Sequence, residues 1–148
     1  MAEAVFQSLC LDLNSPISSI DSCGTAAYHA GSSPDARTMS TLESHGITTY
    51  RHRARQVLDE DFLRFDYVFA MDRENLRRLQ VLRRGVIREQ GGVEEGVATV
   101  MLVGDMGDRP GEVVVDPYGD GRDAFERVYQ QMVRFSQGFL RMVDLEYS

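Results

Sequence analysis

Short apolar runs alternate with segments of helical periodicity along this chain, and this alternation constrains the fold more than any other feature. The runs at 66–71 and 97–105 (DYVFAM and VATVMLVGD) have the length and composition of buried parallel strands. Apolar residues recur at helical spacing between these runs and, most regularly, at 122–143. Strands that alternate with helices are joined by crossovers. The sequence therefore predicts an α/β fold with three layers, a parallel sheet flanked by helices.

The same patterns predict the individual elements. We expect helices at 2–13, in a short segment closed by Gly46, at 58–65, and from an N-cap at Asp72 to the glycines at 91–92. Further strands are expected at 17–25 and at the β-branched run 113–115. Ligands of parallel sheets bind beyond the carboxyl ends of the strands, so the residues that follow each predicted strand are candidates for a site.

Length and composition limit the classes of function. At 148 residues, the chain is expected to form a single domain, 1–148. The net charge of −7 argues against nucleic acid or an anionic membrane as the partner. No apolar run approaches the ~18 residues of a membrane span, and the N-terminus lacks the pattern of a signal peptide. With only two cysteines, the chain is predicted to be cytoplasmic with reduced thiols. No residue spacing suggests a metal site, and no cofactor is predicted.

Asp116 is the carboxyl whose sequence context most suggests a role in proton transfer. It ends the β-branched run 113–115, and the ring of Pro117 restricts its backbone. A carboxyl held at a strand end can protonate a leaving group. The alternative is an ordinary Asx-type turn, which most Asp-Pro pairs form.

Several motifs occur in a fixed order along the chain. They are AEAVF after Met1, DS at 21–22, YHAG…PD at 28–35, HG at 45–46, HRARQ at 52–56, EDF…FDYVFAMDRENL at 60–76 and DPY…F…VYQQ at 116–131. In this order and spacing, the chain resembles the low-molecular-weight protein tyrosine phosphatases. It departs from that family at 83–97 and at Gly119, where the family often has a second tyrosine.

The resemblance implies a fold and a reaction. The family fold is a four-stranded parallel sheet flanked by helices, with a phosphate loop of Cys, any five residues and Arg-Ser between the first strand and the first helix. In the family, the Cys thiolate attacks phosphorus, main-chain N–H groups and the Arg bind the oxyanions, and an Asp-Pro acid protonates the leaving tyrosine. The implied substrates are phosphotyrosine-bearing proteins or small aryl phosphates.

The resemblance assigns roles in substrate binding and proton transfer to three residues. Asp116 matches the general acid, and Tyr28 and Tyr118 match the aromatic walls of the phosphotyrosine slot. Taken alone, the two tyrosines are more typical of half-buried packing residues.

Three further residues match supports of the phosphate loop. Ser22 and His52 correspond to a hydrogen-bonded pair behind that loop, and Asp72 corresponds to the carboxylate that orients the signature Arg. Without the loop, Ser22 and His52 are expected either to be idle or to have their hydrogen bonds completed by water. Without these roles, Ser22 would be a polar residue at a strand end, His52 a surface histidine and Asp72 the N-cap of a helix.

The signature loop itself does not occur in these residues. Because AEAVF follows that loop in the family, we expect the sequence to begin just past it, N-terminally truncated. Six residues after Cys10 comes Pro16, and six after Cys23 comes His29, so neither cysteine is followed by the required Arg. We therefore predict that the chain as written does not hydrolyse phosphotyrosine.

Two other interpretations stay open. The chain could be a non-catalytic relative that acts by protein contact, or an inactive remnant. In the family the first strand lies inside the sheet, so its loss would leave two edges with unpaired backbone groups. We therefore expect the chain as written to be destabilised and to form homo-oligomers through these edges.

Overall fold

The computed structural model describes residues 1–13, 17–24, 36–48, 50, 55–115, 117 and 121–147. Within these residues the elements follow in the order α1 (Ala2–Leu13), α2 (Ala36–Ser44), α3 (Asp61–Arg64), β1 (Tyr67–Ala70), α4 (Arg73–Glu89), β2 (Thr99–Leu102), a 3₁₀ turn (Val103–Met106) and α5 (Arg122–Tyr147). Each predicted helix is present, with ends that differ from the expected bounds by a few residues.

The two strands form a parallel pair. Tyr67 lies opposite Thr99, and the register continues to Ala70 opposite Leu102. Helix α4 connects the two strands and packs on both of them. This is the strand–helix–strand crossover that the alternation in the sequence predicts. The α/β class is therefore confirmed.

The sheet separates two apolar clusters. On one face, the rings of Tyr67 and Phe69 lie 5.1 and 5.2 Å from the ring of Phe139 in α5. On the other face, Ala70 packs with Phe62 of α3 and with side chains of α4. On the side of α5, an apolar cluster joins α1, α2 and α5, and its buried members are Ala4, Val5, Leu42, Tyr50, Val114, Val128, Met132 and Phe135. The three layers predicted from the sequence are therefore confirmed.

Two predicted strands do not form ladders in the part of the chain that the structure describes. In 17–24, only Gly24 pairs in parallel, accepting from the N–H of Val57 at 2.9 Å and donating to the carbonyl of Arg55 at 2.8 Å. In 113–115, the N–H of Val114 donates to the carbonyl of Met71 at 2.8 Å. A β-branched composition indicates that a segment fits a half-buried surface, whereas a ladder needs repeated pairing with a neighbour. The strand predictions at 17–25 and 113–115 were wrong for the described residues.

The predicted strand at 97–105 is also shorter than expected. Its ladder ends at Leu102, and a 3₁₀ turn follows over Val103–Met106. This turn lies directly on α5, because a Cβ atom at Gly138 would overlap the carbonyl oxygen of Met106. Gly104 in turn lies against the carbonyl of Glu112. Glycine at these two positions allows the segment that leads towards Asp116 to lie close to α5.

Helix α2 ends as the sequence predicts. Gly46 has a φ of 82°, the left-handed conformation that glycine adopts at low cost. The N–H of Ile47 donates to the carbonyl of Leu42 at 2.9 Å, which satisfies one of the helix's terminal acceptors. No helix among the described residues is long and apolar enough to cross a membrane.

Candidate functional site

The carboxyl end of β1 and the N-terminal turn of α1 meet in the same apolar cluster. Met71, which follows β1, packs there with Met1, Ala4, Tyr50 and Val114. In parallel sheets this end of the strands is where ligands bind, and a helix N-terminus provides N–H groups for an anion. The polar residues around this cluster therefore form the candidate site.

A buried carboxyl group lies on the first turn of α1. Glu3 is 5% exposed, and its Oε1 accepts a hydrogen bond from the Ser22 hydroxyl at 3.4 Å. The expectation that Ser22 would be idle or bound to water is therefore wrong, because its hydroxyl has a partner within the chain. Burial, and next its hydrogen bond with Glu3, raise the pKa of the Tyr50 phenol. Glu3, Ser22 and Tyr50 thus form one polar group that joins α1 to the segment 17–24.

Arg55 links that segment to the loop before β1. Its Nη1 and Nη2 bind both carboxylate oxygens of Asp61 at 2.9 and 3.0 Å, and its Nε binds Asp21 at 3.0 Å. The N–H of Leu58 also donates to Asp61 at 2.8 Å. A bidentate guanidinium–carboxylate pair is among the stronger charge-assisted contacts in proteins. Arg55 therefore fixes Asp21, the neighbour of Ser22, relative to the rest of the sheet.

The two carboxylates that bind Arg55 both have pKa values below their ordinary value. Burial raises the pKa of Asp61, but hydrogen bonds from Arg55 and from the N–H of Leu58 outweigh it, so the pKa lies below its ordinary value. The same balance lowers the pKa of Asp21, whose hydrogen bonds come from the N–H of Ser22, from Glu3 and from Arg55. Two carboxylates and one guanidinium are therefore charged together at neutral pH.

Asp72 is the N-cap of α4, as the sequence predicts. Its Oδ1 accepts a hydrogen bond from the N–H of Asn75 at 2.8 Å, and its backbone is extended. It directly follows Met71 at the carboxyl end of β1. A carboxylate at this place can cap the helix and also orient a cation at the end of the sheet.

Replacing Asp72 tests its capping role. We expect Asp72→Ala to lower the free energy of unfolding by about 1 kcal/mol, because the N–H of Asn75 loses its acceptor. Asp72→Asn keeps an acceptor oxygen and is expected to leave stability nearly unchanged. Urea unfolding at one protein concentration measures both differences. Equal stability of Asp72→Ala and the parent would contradict the capping role.

The segment before Asp116 is held by α5. Glu112 accepts hydrogen bonds from Arg134 Nη2 and from Gln131 Nε2, both at 2.9 Å. The hydrogen bond from Arg134 holds the pKa of Glu112 below its ordinary value. Gln131 also donates to the carbonyl of Val113 at 3.3 Å. This α5 contact was not foreseen from the sequence.

Cys23 has an environment unlike that of an attacking thiolate. Cys10 is half-buried on α1, and Cys23 ends the segment that carries Ser22. Desolvation raises the pKa of the Cys23 thiol, although Arg55 opposes the shift. A nucleophilic cysteine has a lowered pKa. Cys23 in this environment is therefore a poor nucleophile.

Four of the predicted site residues lie outside the described part of the chain: Tyr28, His52, Asp116 and Tyr118. Their roles stay predictions. Among the described residues, no group of three or more His, Cys, Asp or Glu side chains could hold a metal ion.

Three polar residues of this region were missed by the sequence reasoning: Glu3, Arg55 and Gln131. Each lies inside a motif that carries the resemblance, AEAVF, HRARQ and VYQQ respectively. A charged residue at a buried position of α1 is the one signal that could have indicated Glu3 before the structure was available.

Comparisons with known proteins give one consistent family. A family model described as low molecular weight phosphotyrosine protein phosphatase matches residues 1–148. The protein of that name from Schizosaccharomyces pombe is 43% identical over 147 residues, covering 97% of this chain and 87% of the relative. The Homo sapiens protein of the same name is 39% identical over 141 residues, covering 95% and 84%.

Solved structures show the same architecture. A Drosophila arginine phosphatase matches with a TM-score of 0.82 at 30% identity, over 95% of this chain and 87% of that chain. A protein tyrosine phosphatase from Entamoeba histolytica with Hepes in its active site matches with a TM-score of 0.82 at 25% identity, over 99% and 89%.

Proposed function

We propose, because the chain belongs to the low molecular weight phosphotyrosine protein phosphatase family, that its fold serves the hydrolysis of phosphotyrosine in proteins or of small aryl phosphates. The observation that carries this proposal is the match of the family model to residues 1–148. Identities of 35–43% to relatives of that name support it.

The reaction assigned to this site has two steps. A thiolate attacks phosphorus and forms an S–P bond, while the bond between phosphorus and the tyrosine oxygen breaks. Asp116 donates its proton to that leaving oxygen, and Tyr28 and Tyr118 hold the aromatic ring. In the second step, water attacks the phosphorus of the cysteinyl-phosphate and the S–P bond breaks. Asp116 takes the water proton, and the products are inorganic phosphate and the free thiolate. Ser22, His52 and Asp72 support the phosphate loop.

These 148 residues do not contain the Cys-x5-Arg pattern that the first step needs. We therefore propose that the chain as given has no turnover and that a phosphate loop must be supplied. The raised pKa of the Cys23 thiol supports this part of the proposal, since it disfavours the thiolate of the residue next to Ser22.

The test compares two proteins. One is the given chain, and the other, called the loop-bearing chain, has the same residues preceded by an apolar strand and a Cys-x5-Arg-Ser loop of the family pattern. We expect no hydrolysis of p-nitrophenyl phosphate above background by the first, and turnover by the second. In the loop-bearing chain, Asp116→Asn is expected to lower kcat by about 10²–10⁴-fold. Asp123→Asn, which removes an exposed carboxylate of α5, is the matched control.

Three outcomes would contradict parts of the proposal. Turnover by the given chain that disappears in Cys10→Ser or Cys23→Ser would show that an internal cysteine is the nucleophile. A loop-bearing chain that unfolds cooperatively but has no turnover would favour the non-catalytic relative. Faster hydrolysis of a phosphoarginine peptide than of a phosphotyrosine peptide would change the substrate class, a comparison suggested by the Drosophila arginine phosphatase.

The proposal retains two predictions made from the sequence. One is that the protein is cytoplasmic, which fits a chain with only two cysteines, too few for a disulfide scaffold. We also keep the expectation that the given chain self-associates through sheet edges when the first strand of the family is not supplied.

A further inference from the structure

We infer that Gln131 is a positioning residue for the general acid, because its side-chain amide anchors the chain segment that leads into Asp116. The inference rests on the proposed function. It adds a task for α5, the helix that begins just after the acid segment.

The anchor consists of Glu112, Val113, Gln131 and Arg134. Gln131 Nε2 donates to Glu112 Oε2 at 2.9 Å and to the carbonyl of Val113 at 3.3 Å. Arg134 Nη2 donates to the same carboxylate oxygen of Glu112 at 2.9 Å. The side chain of Glu112 is 15% exposed, so little water competes for these hydrogen bonds. Gln131 alone of the two donors touches both a side chain and the main chain of the segment.

The segment is held on its other side by the sheet. The N–H of Val114 donates to the carbonyl of Met71 at 2.8 Å, and Val114 is 8% exposed within the apolar cluster. The chain at 112–114 therefore lies between α5 and the carboxyl end of β1. The residue after it, Val115, is 70% exposed and provides no comparable contact.

Val113, which α5 holds, and Val114, which the sheet holds, are the last fixed points before the acid, and both are close to it in sequence. Asp116 follows Val113 by three residues, a length of chain that spans at most about 10 Å when extended. Loss of the bond to the Val113 carbonyl therefore removes a restraint that lies three residues before Asp116. Small displacements of a catalytic group have large effects on rate, because proton transfer needs hydrogen-bond distance.

The first experiment compares Gln131→Met with Gln130→Met in the loop-bearing chain. Methionine keeps the length of the side chain and the helix propensity but donates no hydrogen bond. Gln130 donates to Glu126 on its own helix at 3.1 Å, so its replacement is the matched control. Both variants are first compared with the parent by urea unfolding.

The kinetic readout separates positioning from a general loss of structure. Phenol is a much weaker acid than p-nitrophenol, so phenyl phosphate depends far more on protonation by Asp116. The second step is the same for both esters, whereas kcat/KM reports only the steps up to release of the phenol. We expect Gln131→Met to lower kcat/KM for phenyl phosphate by about tenfold and kcat/KM for p-nitrophenyl phosphate by less than about twofold. Gln130→Met is expected to match the parent on both esters.

The second experiment needs no nucleophile and uses the given chain. Hydrogen exchange of the Val114 amide reports opening of its bond to Met71, and Gln131→Met is expected to speed it by about tenfold. Gln130→Met should leave it unchanged. A parent loop-bearing chain without turnover would overturn the proposed function and the positioning role with it. Two results would overturn the positioning role alone, provided that the parent has turnover. One is an equal loss of kcat/KM for both esters in Gln131→Met, and the other is an unchanged exchange rate of the Val114 amide in that variant.

Discussion

Gly138→Ala is expected to destabilise the protein by about 2–3 kcal/mol, whereas Gly85→Ala is expected to stabilise it by up to about 1 kcal/mol. Both glycines lie inside helices, Gly138 in α5 and Gly85 in α4. Alanine has the higher helix propensity, so the local effect favours the variant at both positions. The opposite results follow from what each added methyl group would contact.

At Gly138, an added Cβ would overlap the carbonyl oxygen of Met106, a backbone atom of the 3₁₀ turn. That turn cannot move away freely, because Gly107 lies against the ring of Phe135 one helical turn earlier. At Gly85, the same methyl group has nothing within 4 Å. The cost at Gly138 is thus overpacking against main chain, which exceeds the gain in helix propensity.

Urea unfolding of both variants at one protein concentration measures the two free energies. Hydrogen exchange at Val114 is a second readout, since displacing the 3₁₀ turn should loosen the segment that continues to Glu112 and Val114. Gly138→Ala as stable as Gly85→Ala would show that the turn can separate from α5 at no cost.

The sequence was sufficient to predict the elements whose signal is local. The runs at 66–71 and 97–105 are continuous apolar strands, and α4 and α5 have long helical periodicity with a cap at Asp72. The parallel pairing and the layers follow from the alternation of these elements. The sequence could not show that no ladders form at 17–24 and 113–115, because a ladder depends on a neighbouring strand and local composition does not reveal that neighbour.

The polar contacts of the site were less predictable for the same reason. Motifs that resemble a family give residue types in order, but not which side chains touch. Glu112 and Gln131 are separated by 19 residues, as are Glu3 and Ser22, and neither pair has a local signature. Arg55 lies within HRARQ, yet its partners Asp21 and Asp61 lie in two other segments. Such contacts depend on the packing of the sheet against its helices.

Arg55→Met is expected to lower the free energy of unfolding at pH 7 by about 3 kcal/mol. Asp61 is 6% exposed and would keep only the hydrogen bond from the N–H of Leu58, so its charge would be buried without a cation. The side chain of Arg55 is 29% exposed, which places the loss near the lower end of the usual range for a broken buried pair. Arg78→Met is the matched control. Its pair with Glu74 is exposed on α4, and a loss below about 0.5 kcal/mol is expected.

The pH dependence of this loss identifies its cause. In the parent, the pKa of Asp61 lies below its ordinary value, so the stabilisation is fully present above the unfolded pKa of about 4 and is lost as the pH falls through the lower folded pKa. In Arg55→Met, Asp61 is buried without the guanidinium, and its pKa is raised. Protonation of Asp61 as the pH falls towards 4 removes the buried charge and so reduces the destabilisation of the variant. The difference in the free energy of unfolding between parent and variant is therefore expected to shrink at acid pH.

Adding Asp61→Asn to Arg55→Met should recover part of the loss at pH 7, since the amide oxygen still accepts from the N–H of Leu58 without a charge. A loss in Arg55→Met that is the same at pH 7 and pH 4, or no larger than that of Arg78→Met, would show that Asp61 does not depend on Arg55 for its ionisation.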